Sequence, residues 1–195
     1  MNQQPGKLER AALKRQQPVC IWLTGLPAAG KSTIARELER RLLALGRHTT
    51  ILDGDHLRTG LNQDLDFSRA ARAENIRRAA EVARLMVEAG LIVICAFISP
   101  YRAERRFARS LMAPGEFIEV FLDTPAQVCE ARDPKGHYAR ARRGEMPGFT
   151  GIDSSYERPQ APELRLDTQA LSLDACVEEI LRLLARLHCA TAAGS

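Results

Sequence analysis

The sequence is poor in aromatic side chains, which make up 5% of its 195 residues, with a single Trp. A platform that stacks successive bases of a single strand has little to be built from, so nucleic acid is a poor fit as a partner. Long apolar runs are also missing. The longest, Leu91 to Ile98, falls far short of the roughly 20 residues that a membrane-spanning helix needs, and no membrane role is expected. The opening stretch MNQQPGKLERAALKRQQP has no apolar segment of the kind a secretory signal requires, which makes a cytoplasmic protein the expectation. Cysteine occurs five times, at Cys20, Cys95, Cys129, Cys176 and Cys189, yet no pair has the short C-x-x-C spacing of a zinc or redox site. Odd in number, and three of them in or beside apolar runs, they read as buried, reduced thiols.

What is present is ordinary in bulk and specific in pattern. A 45% hydrophobic and 27% charged chain of this length fits one globular domain with a real core. The formal net charge of +4 suits a small anionic ligand. Apolar strand-like runs alternate with stretches of helical periodicity. The strands fall at 19–24, 49–52, 91–98, 116–122 and 163–166, and the helices at 32–45, 69–89, 102–112, from 125 to about 131, and 173–187. That alternation predicts an α/β fold, a mostly parallel central sheet of about five strands with helices on both faces. Residues 1–17 read as a flexible tail or a short surface helix, 18–190 as the domain, and 191–195 as a flexible end. Residues 133–160, rich in Gly, Pro and charge, show no clean period. In such sheets ligands bind beyond the carboxyl ends of the strands.

The first predicted strand runs straight into Gly25-Leu26-Pro27-Ala28-Ala29-Gly30-Lys31-Ser32, followed by Thr33, a match to G-x-x-x-x-G-K-[ST]. Gly25 and Gly30 let the backbone bend around a phosphate, successive N–H groups form an anion nest, and the helix that follows adds its positive end. Lys31 is placed to reach the outer phosphates of ATP, and the Ser32 hydroxyl to ligate Mg²⁺. No N-K-x-D segment is present to read guanine, and the central strand ends in Ser99-Pro100 rather than in the usual Walker B carboxylate. The nearest carboxylates at a strand end are Asp53 and Asp55. Asp55 could take a proton from an attacking hydroxyl or hold the metal's water shell, and Asp53 could do the second. Either could instead cap the turn.

Further segments narrow the reading. Asp53-Gly54-Asp55 with Arg58, then Asp64-Leu65 and Phe67-Ser68, are followed by Arg72-x-x-Asn75-Ile76-Arg77-Arg78. After these come Phe97-Ile98-Ser99-Pro100-Tyr101-Arg102, Arg132-Asp133-Pro134-Lys135-Gly136 and Phe149-Thr150-Gly151-Ile152-Asp153. In this order, over about residues 18 to 168, they resemble the adenylylsulfate (APS) kinase family of P-loop kinases. The resemblance implies transfer of the γ-phosphoryl of MgATP to the ribose 3′-hydroxyl of APS, in sulfate activation. It implies that Arg58, Arg72 and Lys135 meet the phosphosulfate, with Asp53, Asp55, Asn75, Ile98 and Ser99 also on the acceptor, and that Phe67 and Phe149 sandwich its adenine. Residues 25–33 and Arg132 would hold ATP, Ser32 and Asp53 the Mg²⁺, and Lys31, Asp55 and Ser99 would be the catalytic set.

The family is often described with a phosphoserine at the position of Ser99. No base neighbours Ser99 in sequence, so direct in-line transfer is the favoured route, with Ser99 hydrogen-bonding in the site. For Arg77 and Arg78 a solvated face and a functional role stay open, and the basic stretch 130–150 is either a mobile lid or a solvated loop. Asp66 replaces a common Gly, Ala139-Arg140 an expected Lys-Lys pair, and Leu-Pro-Ala-Ala the usual small filler of the P-loop. The family also implies a homodimer and an association with ATP sulfurylase. The competing readings are another small-molecule P-loop kinase and a catalytically silent nucleotide-binding subunit.

Overall fold

A computed structural model describes residues 6–192, with side chains described through residue 187. The strands are β1 (Val19–Thr24), β2 (Thr49–Asp53), β3 (Ile92–Ala96), β4 (Phe117–Leu122) and β5 (Leu164–Leu166). They form one sheet in the order β2-β3-β1-β4-β5, and every pairing is parallel. The helices are α1 (Lys7–Leu13), α2 (Lys31–Ala44), α3 (Gly54–Leu57), α4 (Arg69–Glu88), α5 (Arg102–Ser110), α6 (Ala126–Arg132), α7 (His137–Arg142) and α8 (Leu173–Ala192).

Strand β1 shows why the sheet needs cover on both faces. All six of its residues are buried, and they alternate. Val19, Ile21 and Leu23 pack with Ile34, Ala35 and Leu38 of α2 and with Val177 and Ile180 of α8. Cys20 and Trp22 point the other way, onto Ala79, Ala80 and Ala83 of α4 and Ala108 of α5. The small residues of α4 let it lie close to the sheet, and Trp22 fills the gap beside Phe97, with ring centroids 5.1 Å apart. Fully burying a side chain of this size stabilises by about 1.5–3 kcal/mol or more, so β1 and its two layers anchor the domain.

Because β3 and β4 flank β1 on opposite sides, the chain leaves the end of β1 at a topological switch point, where a crevice opens. The P-loop lies in that crevice. The expected helix and strand positions are present, with ends shifted by one or a few residues, and Cys20, Cys95, Cys129 and Cys176 are buried free thiols.

Two segments are more ordered than their composition suggests. Residues 7–13 form a helix, and Gln16 behind it ties the segment to the body. Its amide donates to the carbonyls of His48 (2.9 Å) and Gly90 (2.8 Å), and its oxygen accepts from the His48 amide at 2.7 Å. Gly90, at φ +85°, lies so close to Arg10 and Ala11 that a Cβ would meet their backbone at 3.0 Å. Residues 1–5 and 193–195, where the loosest ends were expected, lie outside the described residues. In the stretch 133–160, Tyr138, Ala141, Phe149 and Thr150 are buried, and the Tyr138 hydroxyl of α7 donates to the Pro27 carbonyl of the P-loop at 3.2 Å. Six residues of helix are too few turns to show a period in sequence.

Candidate active site

A cavity of about 1550 Å³ lies over the carboxyl ends of the strands. Of the residues assigned from sequence to ATP, the acceptor, the metal or catalysis, all but Gly25 and Leu26 line it. Gly25 has a different constraint: a Cβ there would sit 2.7 Å from the Leu122 carbonyl oxygen of β4. Its task is close approach of loop to sheet, and the phosphate-facing turn is made further on. There Ala28 (φ +61°) and Gly30 (φ +100°) take left-handed conformations that swing the chain into α2. The first amides of α2 have no intrahelical partner and face the crevice with the helix's positive end behind them.

Lys31 is buried, and its amine donates to the carbonyls of Gly25 (2.9 Å) and Leu26 (2.7 Å). Burial pushes it down to about 8, against the raising influence of Cys129, Asp53 and Asp55. The Ser32 hydroxyl donates to Asp53 Oδ2 at 2.6 Å, while Asp53 Oδ1 accepts from the Asp55 amide at 3.0 Å. Asp53 thus takes the capping role weighed for it, one oxygen capping α3, while its other oxygen faces the P-loop serine. Asp55 is exposed and forms an ion pair with Lys135. Its charge is felt by Lys31 on one side and by Arg58 on the other.

The opposite wall is built from α3, α4 and the turn between them. Arg58 donates to the carbonyls of Leu65 (2.9 Å) and Asp66 (3.1 Å), and its guanidinium lies 4.4 Å from the centre of the exposed Phe67 ring. Burial and the neighbouring Arg72 make its charge harder to keep. Arg72 ties α4 to two segments, donating to the Phe67 carbonyl, the Thr150 hydroxyl and the Gly148 carbonyl, each at 2.9 Å. Asn75 lies one turn further along α4 on the same face. Asp66 does not occupy a left-handed position, so replacing Gly there brings no strain. Its carboxylate instead accepts from the Ser68 amide at 2.9 Å, just before α4.

Four expectations take a more definite form. Ser99 lines the cavity, yet it is 1% exposed, and its hydroxyl accepts from Trp22 Nε1 (3.1 Å) and donates to Thr24 Oγ1 (3.0 Å). Neither partner is a base. Phe149 reaches the cavity but is mostly buried, with its neighbour Tyr138 edge-on at 5.0 Å. Phe67 therefore offers the open aromatic face. The basic stretch 130–150 carries its own counter-ions: Arg142 pairs with Glu130, and Arg140 and Arg143 with Glu145. Arg77 and Arg78 pair with Glu74, and Arg78 also with Asp64, which favours the solvated-face reading for both.

Sequence reasoning missed Thr168. Its carbonyl and hydroxyl accept from Arg132 at 2.6 and 2.9 Å, and its hydroxyl donates to the Ala29 carbonyl at 3.2 Å, tying Arg132 to the P-loop. Leu171, Leu173 and Cys176 line the same end of the cavity. The signal was available, because Asp167-Thr168 directly follow β5 and residues after strand ends are where ligands bind. Also unread was the layer behind the site, in which Tyr156 meets Thr24 Oγ1 at 2.9 Å and Arg105 reaches the Ser99 carbonyl at 2.6 Å.

Comparison with known proteins agrees with this geometry. The family model for adenylylsulphate kinase matches residues 17–167. An adenylyl-sulfate kinase of Aeromonas hydrophila is 57% identical over 178 residues, covering 91% of this chain and 90% of that protein. The bifunctional enzyme NodQ of Azospirillum brasilense is 61% identical over 92% of this chain, which spans only 29% of that longer relative. Among solved structures, the APS kinase CysC of Mycobacterium tuberculosis, in complex with AMPPNP and APS, superposes with a TM-score of 0.83 at 49% identity, covering 87% of this chain and 98% of that one. With the P-loop, the Asp53–Asp55 turn and the arginine wall on one cavity and the family match running through all of them, the chain belongs to the adenylylsulphate kinase family.

Proposed function

We propose that this chain transfers the γ-phosphoryl group of ATP to the ribose 3′-hydroxyl of APS, giving 3′-phosphoadenosine 5′-phosphosulfate and ADP. The observation that carries the reading is the placing of Asp55, within electrostatic reach of both the P-loop lysine and the arginine wall across one cavity. ATP takes the P-loop side, on the amides of residues 25–33, with Lys31 turning from its own loop carbonyls to the phosphates and Arg132 at the nucleoside end. APS takes the other side. Arg58 and Arg72 offer planar forks to the phosphosulfate, and Phe67 a face to the adenine. Asp55 accepts the proton of the 3′-hydroxyl as that oxygen attacks, and Lys135 moves from Asp55 to the phosphoryl oxygens.

Ser32 and Asp53 fit Mg²⁺, since a hydroxyl and a carboxylate oxygen already 2.6 Å apart are the hard donors this ion prefers. Among the described residues no group of three or more His, Cys, Asp or Glu could cage a metal, which suits an ion that arrives with a triphosphate. When bound, it neutralises charge on the transferring phosphoryl group. Ser99, held between Trp22 and Thr24, supports direct transfer and serves to shape the turn after β3. The residues of 130–150 close over the phosphates and exclude water. Pairing into a homodimer and association with ATP sulfurylase belong to the same reading. Among the described residues no helix is long and apolar enough to cross a membrane, in keeping with work in the cytoplasm.

A coupled assay for ADP release tests the function, comparing APS with nucleoside monophosphates and sugar acids. APS must give turnover, which Lys31→Ala abolishes and Asp55→Ala reduces in kcat while ATP binding persists. Turnover with another acceptor and none with APS would move the chain to a different kinase reaction. Unchanged kcat in Asp55→Ala would remove that residue from the chemistry.

A further inference from the structure

Asn62 is a fully buried polar side chain beside the cavity to which the reaction scheme gives no task. It lies in the turn between α3 and α4, and that turn is held from both sides. The Asn62 amide donates to the Leu57 carbonyl at 2.8 Å. Arg78 of α4 donates to the Leu61 carbonyl at 3.1 Å and grips both oxygens of Asp64 at 2.7 and 2.8 Å. Arg58 fastens the far end through the Leu65 carbonyl. Within this frame the Asn62 side chain makes one bond: Nδ2 donates to Asn75 Oδ1 at 3.0 Å. Its own Oδ1 is shielded from solvent with no hydrogen-bond partner. A buried oxygen without a partner is a standing cost, and an apolar side chain of similar size would remove it. What an apolar side chain could not do is hold the Asn75 oxygen.

That hold decides what Asn75 shows to the cavity. A carboxamide is an acceptor at one end and a double donor at the other. With the Oδ1 end taken by Asn62, the Nδ2 end is left over, and among the described residues it donates to no protein group. Asn75 lines the cavity one helical turn after Arg72, beside Arg58 and Arg69. The wall formed by these four residues therefore presents donors alone. Were the Asn75 amide free to turn over, it would present a carbonyl oxygen to the same space for part of the time, and an anion would be repelled there.

We propose that Asn62 is a positioning residue for the acceptor seat, fixing the Asn75 amide so that its N–H groups meet the anionic end of the acceptor. The inference rests on the reading that APS occupies this seat and deepens it, because it assigns the seat's preference for an anion to a residue that touches no ligand.

The test is a double-mutant cycle on Asn62 and Asn75, with KM measured separately for APS and for ATP. Asn62→Leu keeps the volume and removes the hold. It is expected to raise KM for APS about tenfold, which corresponds to about 1.4 kcal/mol, and to leave KM for ATP within about twofold. Asn75→Leu should weaken APS at least as much, and the double variant should be no worse than Asn75→Leu alone, because the two residues act as one unit. Asn62→Asp is the independent check should Asn62→Leu fold poorly. Ionised, its carboxylate can only accept, so as pH is raised from about 6 to 9 it draws Asn75 Nδ2 inward, turns the carbonyl to the cavity and weakens APS more than Asn62→Leu does. Additive losses in the cycle, equal effects on both substrates, or an Asn62→Asp enzyme with unaltered KM for APS would each overturn the inference while the functional reading stands. Absence of APS turnover in the unaltered protein would overturn both.

Discussion

Removing the guanidinium of Arg105 tests how the floor of the site is held. Arg105 of α5 is 3% exposed, and every arm of its fork is used. Nε donates to Glu119 Oε1 at 2.7 Å, and the two terminal nitrogens donate to the carbonyls of Ser99 and Glu157, each at 2.6 Å. Ser99 has φ +39°, a left-handed conformation that a non-glycine residue adopts at a cost of about 1–3 kcal/mol. Arg105 is thus one of the bonds that keep the turn after β3 in its strained shape.

In Arg105→Met the aliphatic stem still packs, but among the described residues the Glu119 carboxylate keeps only Arg109, at 3.5 Å, and two carbonyls lose their donor. Breaking a buried ion pair from one side costs about 3–5 kcal/mol, because the remaining charge is left in a poor solvent. The residual contact with Arg109 places the expected loss near the lower end, at about 3 kcal/mol. Urea denaturation reads it directly, and a fall of about 10 °C in Tm should accompany it for a chain of this size. The diagnostic variant is Arg105→Met with Glu119→Gln. A neutral amide is far cheaper to bury than an unpaired carboxylate, so the double variant should recover about 1–2 kcal/mol over the single one. If Arg105→Met loses less than about 1 kcal/mol, or if Glu119→Gln brings no recovery, the uncompensated charge is not what matters and the reasoning fails.

Glu104, also on α5, is buried with neither carboxylate oxygen hydrogen-bonded, and burial pushes it up to about 7. Between its ordinary value near 4.5 and 7 the folded protein holds a proton that the unfolded chain has released, so stability falls as pH rises through that window. Glu104→Gln should flatten Tm between pH 5 and 8 and exceed the unaltered protein at pH 8; parallel curves would refute this. Lys31, held down to about 8 by burial, must take up a proton when phosphates bind above that pH, so the Kd of an ATP analogue should climb beyond pH 8 by up to about tenfold per unit. A Kd that stays level from pH 7 to 9.5 in calorimetry would show that Lys31 keeps its charge. The Lys135–Asp55 pair is exposed on both sides and should contribute under about 1 kcal/mol, so Lys135→Met should unfold like the unaltered protein while its kcat falls at least about tenfold. A large loss of stability with kcat intact would make the pair structural.

The parts legible in the sequence are those where backbone geometry or burial leaves few choices. The spacing from Gly25 to Ser32 forces a tight turn between a strand and a helix, and the runs around Trp22 and Ile94 could only be strands covered on both faces. Strand and helix ends drifted by a residue or a few, because the last turns are set by caps such as Ser68 over the Ala71 amide rather than by periodicity. What stayed hidden depends on partners distant in sequence. Thr168 matters because Arg132 reaches it from 36 residues away, and Arg105 matters through Glu119, Ser99 and Glu157. Phe149 was read as an adenine platform on the strength of resemblance alone, and packing against Tyr138 leaves it mostly buried. The counter-ions of the 130–150 stretch were close in sequence, Glu145 beside Arg143 and Arg140 and Glu130 one helix before Arg142, but the lid and loop readings weighed the arginines without them.

The same pairing bears on how a cavity lined by many cations can be selective. Lys31 is bonded to loop carbonyls, Arg58 and Arg72 to the turn before α4 and to residues 148–150, Arg132 to Thr168, and Lys135 to Asp55. A small stray anion would have to replace one good hydrogen bond with another and would gain little. A nucleotide that spans several of these groups at once pays the displacement only once per arm while gaining charge-assisted bonds along its length, with apolar stacking at its base. Under the proposed function, occupied cations of this kind would favour long, multiply charged ligands over small anions. It also follows that the amide nest at the start of α2, which needs no displacement, is the natural first foothold for a triphosphate.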